Sequence, residues 1–283
     1  MMRIIEISDE NVKDFLPLLG EDLAEDIKRI YFGGFGVMEG EDEAAGACVF
    51  ELLHSESEED TVGRICFLQS ASDETADFLV DYYSHTSVPE DEIVESIYEI
   101  PREGDAAALV RAGFSSEKKE SDTISVTLAD LHETAVGRKR KIPPYVSSIE
   151  ELSVLEFHKA VKDILFKGHK PAMEDIASLP KDWFDNGISA CVRSGDRICG
   201  LFLVRRTPSG TLLPALLFAY GPEYKRNLGY MISYSIQTAL TLYPPGTKVH
   251  IARTSDAARA LTKKLLPGSS GAEIFFGRRG ENN

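Results

Sequence analysis

The chain lacks any run approaching the roughly 18 consecutive apolar residues of a membrane-spanning helix, so no transmembrane role is expected. Its first residues, MMRIIEISDENVKDF, turn acidic within six positions and carry no apolar stretch ending in a small-residue cleavage site. A secretory signal is therefore not expected. Cysteine is scarce: Cys48, Cys66, Cys191 and Cys199 stand in apolar, strand-like contexts without CxxC spacing. They read as buried, reduced thiols of a cytoplasmic protein rather than zinc ligands or disulfides. Histidine is thin as well, and neither His158 nor His169 has a histidine or carboxylate at i+4, so no metal site is expected. Basic charge falls short, with 31 Lys+Arg against 46 Asp+Glu, and the net of −15 disfavours a nucleic-acid partner. The glycine cluster Phe32-Gly-Gly-Phe-Gly reads as a loosened entry to a strand.

What is present is ordinary globular material, 43% hydrophobic and 27% charged, which excludes a low-complexity or disordered chain. At 283 residues it is long enough for two domains. Charge divides them: residues 1–131 carry 32 acidic and 9 basic side chains, a net of −23, and residues 132–283 carry 14 and 22, a net of +8. Between them Thr134–Pro144, TAVGRKRKIPP, has the composition of a linker. Its cations Arg138–Lys141 have no interleaved aromatics and read as a solvated run. The expected organisation is an N-terminal domain over 1–131, a linker over 132–147 and a C-terminal domain over 148–283.

Periodicity gives similar element orders in the two halves. In the first, the pattern predicts strands at Arg3–Ile7, Phe35–Glu39, Ala44–Leu53, Val62–Gln69, Glu95–Ile100 and Thr123–Leu128. Helical spacing covers Glu21–Tyr31, Thr75–Tyr83 and Asp105–Ala112. In the second, a helix over Ile149–Lys167 precedes strands at Gly187–Val192, Ile198–Arg205 and Thr211–Tyr220. Helix Leu228–Leu242, strand Val249–Ala252, helix Ala257–Leu266 and strand Glu273–Phe276 follow. Hairpins come first and a β-α-β-α-β tail follows, which is mixed α+β, twice. A strand exchanged across the junction is compatible with this reading, because no strong first strand precedes Ile149.

That order resembles the GCN5-related N-acetyltransferase fold in tandem. Cys191–Val204 is similar to the family's second and third strands with their tight turn, and Leu216–Met231 to its fourth strand and third helix. The family's acetyl-CoA signature is Gln/Arg-x-x-Gly-x-Gly/Ala; Arg226-Asn-Leu-Gly229-Tyr-Met231 matches at the Arg and the first Gly, with Met231 at the last small position. The helix beginning at Ser255 resembles the family's fourth, with Ser255 where Asn is usual and Thr262 where a Tyr acid is usual. In the first half Met38–Phe50 resembles the same hairpin and Leu109–Phe114 the same helix end, with Leu109 in the Tyr slot. The resemblance implies two tandem domains, each a mixed, mostly antiparallel sheet flanked by helices, with acetyl-CoA as co-substrate.

Pyrophosphate binding needs backbone N–H groups at a helix start with room for the phosphate to approach. Lys225 and Arg226 add two cations there and Gly229 adds room, while a side chain at Met231 would narrow the contact; the same cations also fit a solvated loop. In the first half Asp73 and Glu74 occupy the matching point and repel an anion. Cofactor contacts are therefore expected from Phe218, Ala219, Lys225, Arg226, Asn227, Leu228, Gly229, Tyr230 and Ser255 of the C-terminal half. Tyr220 is the candidate catalytic phenol, or else an aromatic plug in the core, and Ser255 a ligand contact or a helix cap. The implied function is acetyl transfer from acetyl-CoA to a small-molecule or peptide amine, cationic by the field of the acidic half. The alternative is a non-catalytic binding or scaffolding protein with decayed CoA sites.

Overall fold

The computed structural model describes residues 2–29, 31–40, 43–54, 61–86, 93–138, 141–167 and 174–280. The acidic stretch Ser55–Asp60, His169 and the inner pair Lys139 and Arg140 of the basic run lie outside them. The chain divides into two units, residues 1–121 with 272–283, and residues 122–271.

Unit 1 starts with β1 (Met2–Glu6), α1 (Leu16–Asp26), β2 (Phe32–Glu39), β3 (Glu43–His54) and β4 (Thr61–Ser70). It continues with α2 (Asp73–Thr86), β5 (Ile93–Ile100), α3 (Glu103–Arg111) and β6 (Glu117–Glu120). Unit 2 holds β7 (Thr123–Thr127), α4 (Leu128–Glu133), β8 (Val146–Ser148), α5 (Val154–Phe166) and β9 (Ala190–Ser194). Then come β10 (Arg197–Arg206), β11 (Leu212–Ala219), α6 (Tyr224–Leu242), β12 (Lys248–Ala252) and α7 (Asp256–Leu265). The last strand, β13 (Glu273–Gly280), returns to unit 1.

Sheet order in unit 1 is β1-β2-β3-β4-β5-β13-β6, and in unit 2 β8-β9-β10-β11-β12-β7. In each, the fourth and fifth strands run parallel and the other pairs antiparallel. The two sheets are therefore one pattern used twice, with the sixth strands exchanged: β13 flanks β5, and β7 flanks β12. Helices cover both faces of each sheet. In unit 1, α1 packs over Ile7, Val37's neighbour Met38 and Val49, while α2 and α3 cover Phe50, Ile65 and Tyr98 on the other face. In unit 2, α5 covers Cys191, Leu201 and Leu203, and α6 covers Phe202, Val204 and Ala219 on the other face.

Local chemistry fixes where helices begin. Thr127 and Asp130 close a capping box on α4, and Ser153 and Glu156 close one on α5. Glu156 and Asp130 hold their carboxyls below the usual range because each accepts from its cap hydroxyl and backbone N–H. Gly113, at φ 91°, ends α3 in a conformation that L side chains avoid.

Two sequence expectations need correction, and one strand has no signal in the sequence pattern. The domain boundaries 131 and 148 give way to breaks at 121/122 and 271/272, because Thr123–Thr127 pairs with β12 over five residues and β13 pairs with β5 over six. Periodicity marks a strand but carries no information about its partner. The expected linker takes in the end of α4, at His132 and Glu133, and the start of β8, at Val146 and Ser147, which its polar, Pro-containing composition hides. The strand β6 reads Glu-Lys-Lys-Glu and has no apolar alternation; it is an edge strand, where charged side chains guard unpaired backbone. Lys119 there bonds Glu99 at 2.6 Å and lies 3.9 Å from the Phe276 ring centroid.

Charge asymmetry persists on the true units, with 32 acidic and 11 basic side chains in unit 1 and 14 and 20 in unit 2. The junction of β13 is tight: a Cβ at Gly277 would overlap the Ser115 carbonyl oxygen, which also accepts from Tyr98 Oη at 3.1 Å. Because β13 stands between β5 and β6, a chain of residues 1–121 is expected to lose its cooperative melt, whereas residues 122–271, which keep all six strands of their sheet, are expected to retain one. Differential scanning calorimetry of the two chains checks this, and a cooperative transition in residues 1–121 would overturn it.

Candidate functional site

Parallel strands β11 and β12 share a single register pair, Leu212↔Val249, at the start of both strands. Beyond it they part. Tyr220 donates its N–H to the Cys199 carbonyl at 2.9 Å, so by the two-residue period Leu217 and Ala219 turn their N–H and C=O to the opened edge. Phe218 shares the orientation of Tyr220 and is engaged with β10 instead. The corresponding strands of unit 1, β4 and β5, are joined over five register pairs, Thr61↔Ile93 to Ile65↔Tyr98. Tyr83, Tyr98 and Leu109, all 0% exposed, fill the interior there.

Helix α6 begins four residues earlier than its apolar periodicity suggests, with Glu223 as N-cap after Gly221. Lys225 and Arg226 therefore ride on the first helical turn, both exposed. Arg226 Nη1 pairs with Glu223 Oε2 at 2.9 Å, a surface contact too weak to withhold it from an anion. Lys225 Nζ lies 5.7 Å from the centroid of the Tyr224 ring. The helix start adds roughly half a positive charge to these cations. Asn227 is buried, and its Oδ1 has no hydrogen-bond partner among the described residues. A buried acceptor left in that state costs about 1–3 kcal/mol unless a ligand donor reaches it.

Met231 does not crowd this turn. It is 0% exposed and packs against the sheet, where a Cβ at Gly200 would meet its Cε at 3.1 Å. The expected narrowing of the phosphate contact is thus replaced by a core contact, because residue 231 lies on the sheet-facing side of the helix. Gly229 and Tyr230 are half-buried on the next turn, and the Tyr230 ring meets Tyr145 edge-on at 6.4 Å.

Between α6, α7 and the parted strands lies a cavity of about 320 Å³. Leu228 and Ser255 line it, and so does Thr262 in the slot of the resembling family's tyrosine. Ser255 also caps α7, its Oγ accepting from Ala258 N–H at 3.2 Å, as its helix-cap reading expects. Tyr220 does not line the cavity. Its hydroxyl donates to the Ile198 carbonyl at 2.8 Å, and Lys167 Nζ sits 4.6 Å from its ring centroid. Burial, with Cys199 beside it, pushes the phenol up, so it stays protonated at neutral pH. The structure thus brings Ala219, Lys225, Arg226, Asn227, Leu228 and Ser255 to one end of the opened strands, and leaves Phe218 and Tyr220 engaged with β10. The leucines of α4 and α7 that line the cavity escaped sequence reasoning. Their only signal was helical spacing, which core and cavity share.

At the matching point of unit 1, Ser72 caps α2 and Asp73 and Glu74 occupy its first turn. That arrangement suits the helix dipole and opposes a bound anion. Among the described residues, no three His, Cys, Asp or Glu side chains gather as a metal site requires.

No family model and no curated protein matches the sequence. Solved structures do match. A tandem GNAT protein from the clavulanic acid biosynthesis pathway, described as without AcCoA, is 12% identical with a TM-score of 0.58, over 99% of this chain and 98% of that one. A GCN5-related N-acetyltransferase from Sphaerobacter thermophilus is 10% identical with a TM-score of 0.56, over 99% and 95%. One from Kribbella flavida is 15% identical with a TM-score of 0.50, over 83% and 88%. The chain has the tandem GCN5-related N-acetyltransferase fold.

Because Met231 is a core side chain, Met231→Ala is expected to cost unit 2 about 2–5 kcal/mol by leaving a hole. Urea denaturation of the full chain measures this, and an unchanged midpoint would place the side chain elsewhere.

Proposed function

We propose that unit 2 binds acetyl-CoA at the start of α6 and along the open edge of β11, and transfers its acetyl group to an amine. The observation that carries this is the parallel pair β11–β12, opened after one register pair beside a cationic helix start. The residues present suit the ligand. Lys225, Arg226 and the unbonded N–H groups of the first turn of α6 would hold phosphates, with Gly229 leaving room beside them. The main chain of Leu217 and Ala219 would meet the pantetheine amides, with Asn227 Oδ1 and Ser255 as further polar contacts. Bound there, the thioester supplies an activated acyl carbon, whose C–S bond breaks as the amide C–N bond forms while the amine's proton ends on sulfur. Unit 1, with an acidic helix start and closed strands, is proposed to carry no cofactor.

The acceptor is a small-molecule or peptide amine, and the chain's net charge of −15 favours a cationic one. All four cysteines are free and no described helix is long and apolar enough to cross a membrane, which fits a cytoplasmic setting.

Calorimetry of the full chain with CoA is expected to show binding. Arg226→Glu should weaken it, more at low salt than at high salt, because an exposed charge acts through a screened field. Salt-independent loss would point to misfolding rather than phosphate contact.

A second reading, a binding or scaffolding protein without catalysis, is favoured by the hydroxyl of Tyr220, which is committed to Ile198, and by Thr262 in the cavity wall. If Tyr220 is the acid, Tyr220→Phe is expected to lower kcat by roughly 10²–10⁴-fold. CoA binding without turnover of any amine in the wild-type chain would establish the second reading.

A further inference from the structure

The cavity of unit 2 is deeper than an acetyl group needs. Its mouth, at Leu228, Thr254 and Ser255, lies where β11 and β12 have parted. Its floor lies at the opposite end, beside the Leu212↔Val249 pair, where Leu128 and Leu131 of α4 meet Ile188 and Val204. The position of α4 is fixed there by hydrogen bonds from Leu128 N–H to the Thr247 carbonyl at 3.0 Å and from Ala129 N–H to the Pro245 carbonyl at 2.9 Å. Mouth and floor are thus separated by most of the length of β12, about 3.3 Å for each of its residues.

Polarity changes along this depth. Thr254, Ser255 and Thr262 belong to the mouth and to α7, and Ser235 is the one further polar side chain in the lining. The floor offers carbon. Ile232 and Ile236 of α6 stand opposite Leu261 and Leu265 of α7 along the way. Water needs two to four polar partners to settle in a cavity, and the floor does not provide them. An apolar hole left empty reduces stability in proportion to its volume. A cavity of about 150 Å³ is enough for a six-carbon ring, and the volume here is about 320 Å³. With the mouth beside Leu217, Leu228 and Ser255 taken by the pantetheine, the apolar floor is left for chain carbons beyond the two of acetyl.

We infer that this cavity seats an acyl chain longer than acetyl, so that the thioester bound by unit 2 is a medium-chain acyl-CoA. The inference rests on the reading of unit 2 as a CoA-thioester site. It assigns the floor residues Leu128, Leu131, Ile188 and Val204 to chain length, and the start of α6 to the phosphates common to every thioester.

The test is a calorimetric series on the full chain with CoA and its acetyl, butanoyl, hexanoyl, octanoyl and decanoyl thioesters, with free octanoate as a further arm. Each methylene buried on the cavity floor strengthens binding about fourfold. Octanoyl-CoA is therefore expected to bind at least about a hundredfold tighter than acetyl-CoA, with the gain levelling off as the cavity fills. Ala239→Phe, which pushes a ring into the lining from α6, is expected to reduce that ratio severalfold. Should the variant not fold, the wild-type series carries the test alone. Equal affinity for CoA and all of its thioesters overturns the inference and leaves acetyl transfer standing. Octanoate binding as tightly as octanoyl-CoA overturns it in favour of free fatty acids. Absence of binding by CoA and every thioester overturns both this inference and the function on which it rests.

Discussion

The backbone pairing between β7 and β12, five residues long, is the contact on which the site of unit 2 depends. A strand must place its N–H and C=O groups somewhere, and β12 has β7 on one edge and almost nothing on the other. With one register pair to β11, β12 would be a poor strand by itself. Held by β7, it keeps its place while the gap beside it stays open. The same arrangement carries α4, which follows β7 directly and brings Leu128 and Leu131 to the end of the cavity. The exchanged strand thus braces the opening, and the helix that follows it supplies the floor.

The exchange has a topological consequence. Unit 2 is a continuous stretch of chain, whereas unit 1 is made of two pieces, and its sheet is complete only when the last strand has been added. Contacts of such long sequence separation are costly to close and form late. Unit 1 compensates with extensive antiparallel pairing in β2, β3 and β4 and with an aromatic interior in which Phe35, Phe50 and Tyr83 stack or meet edge-on.

One pattern, used twice, has diverged by packing and charge rather than by topology. Where unit 1 places Asp73 and Glu74, unit 2 places Lys225 and Arg226, and the sign of the field at the helix start reverses. Where unit 1 fills the space with Tyr83, Tyr98 and Leu109, unit 2 leaves it open. Solved structures share this fold at 10–12% identity, because alternation and helical spacing survive substitutions that rewrite a site.

The sequence by itself determined most of the strands and helices, though not β6, α4 or β8, together with the repetition of their order and the opposite charge of the two halves. Each of these follows from side-chain period or from a count. It also located the cationic helix start, since Lys225, Arg226 and Gly229 are adjacent in the chain. Only the tertiary structure decided where the repeat is cut, because a period of two marks a strand such as Thr123–Thr127 without naming the strand it will bond. It turned Met231 into the core rather than toward the phosphate contact, where its Cε packs over Gly200. It committed the Tyr220 hydroxyl to a carbonyl 22 residues earlier. The cavity, too, belongs to the fold alone: leucines at helical spacing look the same in sequence whether the space before them is filled or empty, and that difference is one of volume between elements far apart in the chain.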